Sequence, residues 1–87
     1  MPIRAIFVGG TIDNNELDLD AIEPPVHYPP QTGNGIARYR LQALGWHGDD
    51  IACAVYGAPE LEASEVLRIS DERAHARRFN TELQPVA

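Results

Sequence analysis

An α+β fold is predicted for this 87-residue chain: a mainly antiparallel sheet of about four strands, built from hairpins, with one C-terminal helix packed on it. Three features predict it. The apolar run Ile6-Phe7-Val8 ends directly in Gly9-Gly10. Period-two alternation recurs over 16–22 and 37–43. A helical apolar stripe is found only after Pro59.

Residues 3–8 read as the first strand, with Ile6 and Val8 on one face and Phe7 on the other. A phosphate cradle would need a helix straight after the glycines, so that free backbone N–H groups face the anion. Instead Asp13-Asn14-Asn15 is a turn cluster, followed by Leu17, Leu19 and Ala21 alternating with Glu16, Asp18 and Asp20. Gly9-Gly10 is therefore expected to turn a hairpin into a second, antiparallel strand over 16–22, with positive φ at one or both glycines. Segment 23–30 holds Pro24-Pro25 and Pro29-Pro30; short of N–H donors, it is expected to be extended and at a sheet edge. Gly33-Asn34-Gly35 is a hairpin cue.

Tyr39, Leu41 and Ala43 are expected to point inward, and Arg38, Arg40 and Gln42 outward, with these arginines lying across from Glu16, Asp18 and Asp20. Gly45 and Gly48 are expected to bracket a loop holding Trp46 and His47. Residues 51–56 are apolar on both faces, as a central strand would be, and put Cys53 on one face with Ile51 and Val55. Pro59 and Glu60 suit a helix start. Ala63, Val66, Leu67, Ser70 and Ala74 form its apolar stripe, and Ser70-Asp71-Glu72 could break and restart it. A single domain over 1–80 with a flexible tail over 81–87 is the expected organisation.

Composition narrows function by exclusion. The net charge of −6 is concentrated in residues 1–30, where five acids face Arg4 alone. An acidic chain repels phosphate backbones, so nucleic acid is not expected as a partner. All seven basic residues are arginine; with no lysine, Schiff-base, P-loop-lysine and Ser/Lys chemistries are all absent. Cys53 is the single cysteine, expected as a buried thiol with neither a disulfide nor a cysteine-zinc site. No apolar run approaches the roughly 18 residues of a membrane span, and Met1-Pro2-Ile3-Arg4 leads into a strand rather than a signal peptide. A cytoplasmic location with no membrane partner is the expectation.

Gly9-Gly10-Thr11-Ile12 resembles the threonine-nucleophile motif of bacterial-type asparaginases, which implies attack on an amide by Thr11. That family also uses a downstream Thr-Asp pair and a lysine, and this chain has neither. A longer resemblance is to small phage and prophage proteins whose first strand typically ends Gly-Gly-Pro-Leu-Asp-Gly. Phe7-Val8-Gly9-Gly10-Thr11-Ile12-Asp13, the Tyr39-Arg40-Leu41 strand and a final short helix carry it. Here Thr11-Ile12 stands for Pro-Leu and Asn14 for the last glycine. The family has no established activity, so the resemblance implies a setting rather than a mechanism.

His47, Asp49 and Asp50 put an imidazole and two carboxylates beside Trp46. With His27 from the strands they could serve a small hydrolase or metal enzyme, provided they converge in one pocket. The Glu16, Asp18, Asp20 row reads as a solvated strand face rather than a cation site. No catalytic set is complete, and no cofactor or metal is expected. The preferred reading is a non-enzymatic interaction module acting on a protein partner or on itself. Trp46 would be its anchor and His47 its neighbour, on a ring expected to be partly exposed.

Overall fold

The computed structural model describes residues 3–20, 22–28 and 38–86. Its described elements are β1 (Ile3–Val8), β2 (Glu16–Leu19), β3 (His27–Tyr28), β4 (Tyr39–His47), β5 (Asp50–Gly57), α1 (Ala63–Glu72), α2 (His75–Arg78) and β6 (Leu83–Pro85). They form an α+β fold around one sheet of order β2-β1-β5-β4-β3, with β6 also paired to β4.

The sheet is mixed, not mainly antiparallel. β1 pairs antiparallel with β2 but parallel with β5, in the register Phe7 to Tyr56. The two most apolar strands thereby become interior neighbours, each flanked by a strand on both sides, which is where near-continuous apolar runs belong. The turn at the end of β1 is as expected: Gly9 and Gly10 have φ of 81° and 70°. No helix follows them. The Gly33-Asn34-Gly35 cue lies outside the described residues.

One face of the sheet is aromatic and the other is covered by α1. On the first, the Phe7 ring lies 5.3 Å from that of Tyr28, 5.2 Å from Tyr39 and 5.6 Å from Tyr56. Phe7 and Tyr28 sit on strands separated by two others, so the sheet must curl for their rings to meet. The Tyr56 hydroxyl donates to the Pro25 carbonyl at 2.6 Å and ties down the proline segment; burial pushes its phenol well up. On the second face Ile6, Val8, Ala43, Cys53 and Val55 pack with Val66 of α1.

Two register shifts explain a difference from simple alternation. Leu41 pairs with Tyr56 and Ala43 with Val55, so Gln42 is an extra residue in β4. A bulge of this kind reverses the side-chain phase. Tyr39 and Leu41 therefore join the aromatic cluster while Ala43 joins the helix-side cluster. Ala52 makes the second bulge, since Gly45 pairs with Cys53 and Trp46 with Ile51. Cys53 and Val55 accordingly face α1, whereas Ile51 packs on the aromatic side. Cys53 is a free, fully buried thiol, and burial raises its pKa.

The helical region departs from a single C-terminal helix. α1 begins at Ala63, not at Pro59, because the preceding residues have other bonds to make. Ala58 N–H donates to the Val8 carbonyl, and Leu61 N–H closes a turn on Ala58. Val66 and Ser70 are buried and Leu67 is half-buried, while Glu65, Arg68 and Glu72 are exposed; Arg68 pairs with Glu72 at 2.7 Å. The helix breaks at Ala74, which adopts φ of 56°, beyond the Ser70 position suggested by sequence. The kink turns His75 inward. It is fully buried, with Nδ1 2.8 Å from the Ser70 Oγ. Residues 83–85, assigned to a tail on sequence, form β6.

Arg38 and Arg40 do not lie across from the acidic strand, because β4 and β2 are not neighbours. Arg4 on β1 takes that place, bonding Asp18 at 2.6 Å and Glu16 at 3.1 Å. Two further arginines fasten the helices to the first hairpin: Arg78 reaches Glu16 at 2.6 Å, and Arg73 grips both Asp13 oxygens at 2.9 and 3.0 Å.

Candidate functional site

Trp46 and His47 are the last two residues of β4 rather than members of a loop; only Gly48 and Asp49 turn the chain into β5. Gly48 permits this with φ of 60°. Strand pairing continues out to His47 and Asp50, which projects the end of the hairpin beyond the core. Trp46 retains 40% of its surface exposure there, the partly open ring expected of an anchor.

The ring has a built neighbourhood. His47 Nε2 lies 2.8 Å from the Asn80 carbonyl; since a carbonyl only accepts, Nε2 carries the hydrogen and donates. Asn80 sits at φ of 53°, completing the turn that leads from α2 into β6. Beneath it, Thr81 Oγ1 lies close over Gly45 and Cys53, where any side chain at position 45 would overlap it. Gly45 is therefore required for this segment to seat against β4.

A cavity of about 490 Å³ opens beside Trp46, lined also by Ala76, Arg77, Asn80 and Gln84. A second, of about 530 Å³, shares Ala76, Arg77, Glu82 and Gln84 and extends toward Leu67, Asp71, Leu83 and Pro85. Together they form a trough between the helices and β6 that ends at the tryptophan. Arg77 stands in both parts and makes no ion pair among the described residues, unlike Arg73 and Arg78 on either side of it. The trough thus offers an aromatic surface, an apolar floor, and a guanidinium that makes no ion pair among the described residues, with the carboxylates of Glu82 and Asp71 also on its lining.

The other candidate residues lie apart. His27 on β3 pairs with Arg40, seven positions before His47 on the same neighbouring strand. At roughly 3.3 Å per residue their backbones are about 20 Å apart. Asp49 and Asp50 are exposed at the hairpin end and do not meet His27. Among the described residues no three His, Cys, Asp or Glu side chains form a group able to hold a metal.

Arg77 and the 80–85 segment were not legible as site residues. Their placement depends on the helix break at Ala74, and alanine carries no local signal for a left-handed conformation. His75 was missed for the same reason. Burial, then the charges of Arg78 and Arg73, hold its pKa below the ordinary histidine value, so the ring is neutral at pH 7. Its Nε2 is buried with no hydrogen-bond partner among the described residues.

Compared with known proteins, the chain matches no family model, no curated protein and no solved structure. No helix among the described residues is long and apolar enough to cross a membrane.

Proposed function

We propose that this chain is a non-enzymatic interaction module that docks a segment of a protein partner in the trough ending at Trp46. The observation that carries the reading is the half-exposed tryptophan at the mouth of that trough, with Arg77, unpaired among the described residues, beside it. Tryptophan and arginine are the side chains that most often dominate binding energy at interfaces. An extended or helical segment with an apolar anchor and an acidic residue would satisfy both groups. The phage or prophage setting and the cytosolic location belong to the same proposal. They are supported by the opening Gly9-Gly10-Thr11-Ile12-Asp13 motif and by Cys53 as a free thiol.

The test is Trp46→Ala, measured by thermal unfolding and by sedimentation velocity over a concentration series. Quantitative capture from a host lysate on immobilised wild-type and variant protein completes it. The melting temperature should move by less than about 4 °C, because a half-exposed ring at a hairpin end contributes little to the core. Self-association or capture should weaken by at least about 1 kcal/mol. A variant that unfolds, or one that associates and captures as the wild type does, removes Trp46 from this role.

A further inference from the structure

At the opposite end of β4, on the face shared with α1, a third cavity of about 500 Å³ lies between the sheet and the segment that leads into the helix. Its sheet wall carries His27, Arg38, Arg40 and Gln42; its other wall includes Leu61, with Val86 closing one side. The strand geometry explains why three cationic or potentially cationic groups meet there. Arg38 and Arg40 are two positions apart and so share a face. His27 is paired directly opposite Arg40 in the antiparallel ladder, which puts the two side chains side by side.

These arginines differ from four of the other five. Arg4, Arg68, Arg73 and Arg78 are each held by a carboxylate, whereas neither Arg38 nor Arg40 makes an ion pair or side-chain hydrogen bond among the described residues. The one carboxylate side chain lining the cavity, Glu62, is exposed and unpaired with either. Asp49 and Asp50 balance these two charges in sequence, yet they sit at the far end of the β4–β5 hairpin. That separation of about 20 Å exceeds two screening lengths at physiological salt. The groove lining therefore carries two guanidinium groups against the single carboxylate of Glu62, on a protein whose net charge is −6.

We infer that this groove binds a phosphate monoester: a dianionic head held by Arg38, Arg40 and His27, with a compact apolar body against Leu61 and Val86. Two guanidinium forks lining one cavity suit the several acceptor oxygens of a tetrahedral dianion better than the two of a carboxylate. The apolar wall gives the body of the ligand a place that free inorganic phosphate leaves empty. The site is separate from the Trp46 trough, and the two readings stand or fall independently.

Phenyl phosphate, inorganic phosphate and benzoate, each titrated into isotopically labelled protein and followed by amide chemical shifts, test the inference. Phenyl phosphate should give saturable shifts at residues 27–28, 38–42 and 61–63, and bind at least about tenfold more tightly than either of the others. Arg40→Gln should weaken it by about tenfold or more, and the Arg38→Gln/Arg40→Gln pair should abolish saturation, because charge-assisted hydrogen bonds are lost. Both variants should melt as the wild type does, since neither guanidinium is bonded to another described residue; Trp46→Ala should leave the titration unchanged. Absence of saturable shifts in this groove, equal binding of benzoate, or phenyl phosphate affinity that survives the double substitution would overturn it.

Discussion

The first hairpin predicts a non-additive pair of substitutions. The Tyr39 hydroxyl donates to the Gly9 carbonyl and accepts from Ile12 N–H at 3.2 Å, so one side chain on β4 latches the loop between β1 and β2. Gly10 has φ of 70°, and a Cβ placed there would overlap the Tyr39 oxygen while lying 3.1 Å from its Cζ and 3.3 Å from Ala58 Cβ. Tyr39→Phe removes two hydrogen bonds, worth about 1–3 kcal/mol together. Gly10→Ala incurs the left-handed backbone cost, about 1–2 kcal/mol, and must also push the hydroxyl off both partners. It should therefore cost about 2–5 kcal/mol in the wild type. In the Tyr39→Phe background the displaced bonds are already gone, leaving the backbone cost of about 1–2 kcal/mol and the close contacts with the ring Cζ and Ala58 Cβ, which are common to both backgrounds. The double-mutant cycle, measured by urea unfolding with matched m-values, should give a coupling of at least about 1 kcal/mol. Additivity to within about 0.5 kcal/mol would show that the latch is not what requires glycine at position 10.

Three further outcomes are expected. Val66→Ala should destabilise by about 2 kcal/mol, and Leu67→Ala by less, because Val66 is wholly enclosed and Leu67 only half so; chemical denaturation should preserve that order. Stability should fall in two steps as pH drops. His75 has a lowered folded pKa, so the unfolded chain takes up its proton first and stability declines from about pH 6.5 downward; Asp13 and Glu16, lowered chiefly by Arg73 and Arg78, add a second decline below about pH 4. His75→Gln should flatten the first step and leave the second, as read from unfolding midpoints across pH. Cys53 should react with a disulfide reagent at a rate set by unfolding, and at the free-thiol rate in denaturant; rapid reaction of the native protein would contradict its burial.

What was legible in the sequence follows the range of the interactions. The β1–β2 hairpin is encoded within about twenty residues by an apolar run, two glycines and an acidic alternation. β4 was legible up to Leu41. Beyond it the phase depends on the bulge at Gln42, which is decided by how β5 pairs and leaves no mark on β4 alone. The parallel pairing of β1 with β5 has no local signature at all, so hairpin logic returned an antiparallel sheet. The exposure of Trp46 was inferable from its polar neighbours. Its trough was not, since that arises where Ala74 turns the helix and β6 returns to β4. Arg38 and Arg40 were visible as outward residues of a strand, but only the sheet order shows that the acidic strand lies elsewhere.

The parallel pairing also has a consequence in time. As the chain is synthesised, β1 emerges first and can close on β2 almost at once. Its other edge must wait for Tyr56 and its neighbours, about fifty residues later. During that interval Ile6-Phe7-Val8 presents an open apolar edge, the kind of surface on which nascent chains stick to one another. Asp18 and Glu16, bound to Arg4 on the outer flank of the hairpin, keep this intermediate charged and make that flank a poor template for a neighbouring chain. The acidic strand, peripheral in the finished sheet, is thus a gatekeeper for the strand that will lie between it and β5.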